Sequence, residues 1–158
     1  SGEPAWELKT DYDPAKLAKN SSTVFLSTAE PRIIALNPAN GEKLWEQGWK
    51  GQDNFWDAPL VGEKLLVTVV GENILALDIS TGEEKWKVPR GRGDIALDQS
   101  SNSLYSYHGN SDEIVRHSLE DGKELSRSKL DVNVTRMLVD GNKLLLETVD
   151  KPAEDVGK

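Results

Sequence analysis

Three stretches of this chain repeat one another at a spacing near forty residues. Ala76 to Trp86 reads A-L-D-I-S-T-G-E-E-K-W, and Ala35 to Trp45 reads A-L-N-P-A-N-G-E-K-L-W. A worn third copy, R-H-S-L-E-D-G-K-E-L-S, runs from Arg116 to Ser126. The turn glycines Gly41, Gly82 and Gly122 are 41 and 40 residues apart. A period of about 40–45 residues in a chain of short strands is the spacing of β-propeller blades. Each blade is a four-stranded antiparallel sheet that buries its faces by stacking on its neighbours.

Strand chemistry fills in each period. The first blade is expected at Pro14–Lys19, Thr23–Thr28, Ile33–Asn37 and Glu42–Gln47, with an Asn20-Ser21-Ser22 turn and an Asn40-Gly41 hairpin signal. The second is expected at Ala58–Val61, Lys64–Val70, Ile74–Asp78 and Glu83–Val88. The third is expected at Asp94–Leu97, Leu104–Tyr107, Glu113–Leu119 and Lys123–Lys129, with a loop from His108 to Asp112. A fourth begins with Thr135–Val139 and Lys143–Val149, where K-L-L-L echoes K-L-L-V at Lys64–Val67. Trp6 precedes Trp45 by 39 residues and so stands at the repeat's Trp position, on the expected last strand of a preceding blade. The fold class is therefore all-β: a partial propeller of about three full blades, an N-terminal strand and a half blade. Its bounds are 1–150, and 151–158 is a polar tail or truncated blade. A sandwich or barrel of the same length is the competing architecture, and the self-similarity favours blades.

The repeated residues have structural work to do. Gly41 and Gly82 supply the positive φ of a tight turn. Asn37, Asp78 and the Thr81 hydroxyl can bond turn amides. Each Trp can wedge its ring between blades and place its indole N–H on an acceptor. This pattern resembles the tryptophan-docking repeat A-x-D-x-x-T-G-x-x-x-W of the quinoprotein (PQQ-like) propellers. Ala76, Asp78, Thr81, Gly82 and Trp86 match it in full; Ala35, Gly41 and Trp45 match, with Asn37 and Asn40 as conservative departures. In the third copy Gly122 survives, and Arg116, Ser118 and Ser126 depart. The resemblance spans roughly 4–150 and implies three kinds of relative. One is the PQQ- and calcium-dependent dehydrogenases. A second is the cofactor-free outer-membrane assembly scaffold of the BamB type. The third is the luminal propeller of the large ER membrane complex subunit. The N-terminal Trp, the regular blade length and the few insertions are closest to the BamB-type layout. The dehydrogenase funnel carries a vicinal disulfide, a catalytic Asp and calcium ligands. No stretch here matches the Asp or the ligands, and the chain has no cysteine.

Composition excludes further classes. Without cysteine there is no disulfide, thiolate zinc site or thiol catalysis; that fits either redox compartment and is at ease in an oxidising one. A net charge of -8 and a pI near 4.8 leave no basic footprint for nucleic acid. No apolar run is long enough to span a bilayer. The two histidines, His108 and His117, lack the spacing of a metal motif, and no nucleophile elbow or phosphate loop occurs. Arg90-Gly91-Arg92-Gly93 reads as a turn between blades.

One stretch is not explained by the repeat. Gln47 to Asp57, Q-G-W-K-G-Q-D-N-F-W-D, is the longest link between blades and carries aromatic residues no turn needs. Either these residues fold back onto the blade core or they anchor a partner. The candidate interaction loop comprises Trp49, Asp53, Phe55, Trp56 and Asp57, with Arg90 and Arg92. Thr10–Asp13, Ala29–Arg32, Pro89–Gly93 and His108–Asp112 are expected on the same face. The resulting expectation is a non-enzymatic scaffold that binds other proteins in membrane-protein assembly or insertion. It needs no cofactor and works outside the cytoplasm, in the periplasm or at the outer membrane, with the ER lumen as the alternative. A PQQ-dependent dehydrogenase fragment is the enzymatic alternative. Three blades and a half leave a ring open, so the remainder of a longer propeller or a second copy is an expected partner.

Overall fold

The computed structural model describes residues 6–51 and 58–150. It contains strands and turns and, among the described residues, no helix. Among the described residues fourteen strands form three four-stranded antiparallel sheets and one two-stranded sheet, so the chain is a partial β-propeller. It divides into two compact units, residues 1–89 and 90–158.

The first unit holds two blades. The first blade is β1 (Pro14–Lys19), β2 (Val24–Thr28), β3 (Arg32–Leu36) and β4 (Lys43–Gly48); the second is β5 (Leu60–Val61), β6 (Leu65–Val70), β7 (Asn73–Asp78) and β8 (Glu84–Pro89). Each sheet is a simple meander in chain order. The middle strands read as continuous apolar runs because both of their faces are covered. Phe25, Ile33 and Ala35 of the first blade and Leu66, Val70, Leu75 and Leu77 of the second form one buried cluster. Each large side chain buried there contributes about 1.5–3 kcal/mol. The opposite face of the first blade, Leu26, Ile34 and Leu36, is covered by Trp6, Leu8 and Tyr12. Residues 6–13 carry no strand, so the strand expected around Trp6 is a capping segment instead. The expected Ala58–Val61 strand likewise shortens to Leu60–Val61.

The second unit holds the third blade: β9 (Ile95–Asp98), β10 (Ser103–His108), β11 (Glu113–Ser118) and β12 (Glu124–Lys129). His108 closes β10 rather than standing in a loop. A half blade follows, β13 (Asn133–Asp140) and β14 (Lys143–Val149). Val134 and Met137 of β13 pack with Ala96, Tyr107 and Ile114 of the third blade. The other face of the half blade is open. Leu138 and Leu145 are cross-strand partners there and are 60% and 45% exposed.

The repeat is more regular in structure than in sequence. All three blades carry the same bulge, with Leu44, Lys85 and Leu125 as the extra residue of the fourth strand. The worn third copy keeps it although its Trp position is Ser126. A bulge on an outer strand also interrupts the edge ladder that another chain would otherwise extend.

Candidate functional site

The repeat residues account for blade docking. Trp45 sends its indole N–H to the Ile79 carbonyl at 3.0 Å, and its ring lies on Gly82. Trp6 does the same one blade earlier, with its N–H on Pro38 O at 2.8 Å and its ring on Gly41. Gly41, Gly82 and Gly122 have φ of 72°, 76° and 75°. Ala35 and Ala76 are fully buried and sit directly across the ladder from Trp45 and Trp86, where a larger side chain would crowd the indole. Trp86 is itself buried. Asp78 Oδ1 accepts from the amides of Ser80 and Thr81, and Thr81 Oγ1 accepts from the Glu83 amide. Those turn amides, the Ser80 amide foremost, hold the Asp78 carboxyl below its ordinary value. In the first and third copies Asn37 with Asn40, and Ser118 with Asp121, make equivalent bonds. The departures in the worn copy thus keep the turn's hydrogen bonding.

In the first unit the expected loops gather at one end of the strands. The Ala29 amide donates to Asp13 O and the Trp49 amide to Pro31 O. Arg32 ties this end together: its guanidinium lies 4.0 Å from the centre of the Tyr12 ring and pairs with Glu46. Lys43 first, and Arg32 after it, lower the Glu46 pKa from its ordinary value. Arg32 was not among the sequence-level candidates, because its partners come from 14 and 20 residues away with no shared motif. Beside this end is an open groove of about 330 Å³. Buried Val70 and Leu75 form its apolar part, and Trp49, Lys50, Glu84 and Lys87 also line it. Trp49 is half-buried and packs against the core cluster. Asp53, Phe55, Trp56 and Asp57 lie outside the described residues.

In the second unit a second pair of expected loops meets. A β-carbon at Gly91 would fall 2.5 Å from Tyr107 O and 2.6 Å from His108, so only glycine lets the Arg90–Gly93 turn press onto the end of β10. Arg92 is exposed and Arg90 is half-buried, with an Nε that has no hydrogen-bond partner among the described residues. Next to this turn, Ser106 Oγ lies between two imidazoles, 3.2 Å from His108 Nε2 and 3.1 Å from His117 Nε2. Burial chiefly lowers both histidine pKa values. Among the described residues no group of three or more His, Cys, Asp or Glu side chains is placed to hold a metal ion.

Residues 1–131 match the family of the outer membrane protein assembly factor BamB. The chain belongs to this family. No curated protein matches the sequence. Among solved structures, this BamB-family chain is similar to the crystal structure of BamB from Moraxella catarrhalis, with a TM-score of 0.74 and 16% identity. That alignment covers 91% of this chain and 46% of the Moraxella chain, so the chain spans about half of that protein. It is also similar to the computationally designed Ika4 protein, with a TM-score of 0.76 and 16% identity, covering 94% of this chain and 93% of that one. Similarity to the quinohemoprotein alcohol dehydrogenase of Comamonas testosteroni has a TM-score of 0.63 at 18% identity, over 85% of this chain and 31% of the enzyme. At these identities the structural likeness speaks for the shared propeller fold.

Proposed function

We propose that this BamB-family chain is a non-enzymatic propeller scaffold that docks other proteins on the loop ends of its blades. Its setting is membrane-protein assembly outside the cytoplasm, in the periplasm or at the outer membrane. The family match over residues 1–131 carries the reading. The geometry supports it, because the repeat residues are committed to turns and blade docking. What remains for function is the loop ends and the groove lined by Trp49, Lys50 and Lys87. The docking elements are Trp49, Asp53, Phe55, Trp56 and Asp57 in the long link, with Arg90 and Arg92 in the later turn. The propeller segment comprises residues 1–150. Further strands, from the remainder of the propeller or from a second copy, cover the open face of Leu138 and Leu145.

Site-specific photo-crosslinking in a cell that exports the protein tests the docking reading. A crosslinker at exposed Lys50 or Arg92 is expected to trap a discrete protein of the membrane-assembly machinery. One at exposed Glu120, at the other end of the third blade's strands, is expected not to. The same products from all three positions, or none from Lys50 and Arg92, would overturn it.

A further inference from the structure

The two histidines of the third blade are joined through a buried serine. Ser106 and His108 are two residues apart on β10 and share a face; His117 sits on that face of β11, diagonal to Ser106 because it pairs with Leu104. Ser106 is 1% and His117 6% exposed. His117 Nδ1 lies 3.1 Å from Gly122 O, which can only accept, so Nδ1 carries the proton. With the ring neutral, His117 Nε2 then accepts, and the Ser106 hydroxyl donates to it. The Ser106 oxygen in turn accepts from His108 Nε2–H. The result is a directed relay, His108 to Ser106 to His117 to the carbonyl of the Gly122 turn.

Proton counting gives the relay a limit. One added proton can sit on the Nδ1 of half-buried His108 and leave every bond in place. A second, on His117 Nε2, points two N–H groups at one hydroxyl oxygen. It leaves the Ser106 proton without an acceptor in a site closed to water, and it adds a second positive ring. The charged groups facing the relay are Glu113 on β11 and Glu124 and Arg127 on β12. Arg127 already pairs with both carboxylates. Asp98 of β9 pairs with Ser103 and so belongs to the other face of the sheet.

We propose that the Ser106 relay is an acid-sensitive latch of the third blade, closed while His117 is neutral and opened when both imidazoles are protonated. It fastens the Gly122 turn at one end of the strands to the His108–Asp112 turn at the other. The latch stands on the geometry of this blade, whatever docks on the loops. Burial depresses both histidine pKa values, so the stabilisation is complete above the ordinary histidine value of 6.5 and is lost as pH falls through the folded-state values.

Long-range nitrogen–proton NMR of the two imidazoles in the whole chain, from about pH 8 to about pH 4.5, is the test. His117 is expected as the Nδ1–H tautomer and His108 as the Nε2–H tautomer at the alkaline end. The two rings are expected to titrate in separate steps, both below the ordinary value. Protection of the Gly122 and Ser111 amides, bonded to Ser118 O and His108 O, relative to their intrinsic exchange at each pH should fall about tenfold or more across the His117 step and not across the His108 step. In S106A those amides should already show the reduced, acid-form protection near pH 8. An Nε2–H tautomer of His117, or amide protection indifferent to its titration, would overturn the latch. These wild-type readouts decide the matter even if S106A fails to fold.

Discussion

The Trp45 indole lies across Gly82 so closely that a β-carbon there would fall 2.5 Å from the ring. Gly82 also holds φ at 76°, a conformation costly for any other residue. The two constraints add: G82A is expected to destabilise by about 2–4 kcal/mol, from left-handed strain together with overpacking. Gly141 has a similar φ of 61° but open space around its β-carbon position, so G141A isolates the backbone part at about 1 kcal/mol. Urea unfolding of the two variants measures the difference.

Asp78 gives the repeat a pH dependence of its own. Its carboxyl is held below the ordinary value near 3.8, first by the Ser80 amide, with Thr81 and Lys85 also lowering it and burial opposing. A depressed carboxyl binds fewer protons folded than unfolded. Its stabilisation is therefore present above the ordinary value and lost as pH falls through the folded one. D78N keeps the side-chain acceptor, as Asn37 does in the first blade. Acid titrations of Tm should show a shallower fall below about pH 4 for D78N than for the wild type.

Arg32 links three parts of the first unit through the Tyr12 ring, Glu46 and the Gly48 backbone, whose β-carbon position is 3.5 Å from the guanidinium. Lysine keeps the charge and loses the planar stack, so R32K is expected to cost about 1–2 kcal/mol. The loss should appear as increased amide exchange at Ala29 and Trp49, the two amides that bind neighbouring loops.

Much of the fold was legible because blade formation is local. A strand, a turn and the next strand are neighbours in sequence, so alternating run and breaker residues mark the fourteen strands of the described residues to within a few residues. The turn bonds of Asp78 and Thr81 were legible for the same reason. What escaped depends on contacts across rungs or between loops. The segment around Trp6 looks like a strand by its Trp, yet Trp6 and Leu8, with Tyr12, cover Leu26, Ile34 and Leu36. His108 sits beside Gly109-Asn110 and reads as loop, but its backbone pairs with Glu113 at the end of the ladder. The Ser106 relay needs the hairpin register to bring His117 diagonal to Ser106, which spacing along the chain does not reveal. The groove by Trp49 needs Val70 and Leu75 of the next blade.

Tryptophan fluorescence during titration with PQQ and Ca²⁺ tests the scaffold reading most directly, since the enzymatic members of this repeat family depend on that cofactor. The scaffold account predicts no saturable change, with the docked Trp45 and Trp86 signals staying flat. A saturable, calcium-dependent quench with a dissociation constant of about micromolar or tighter would contradict it.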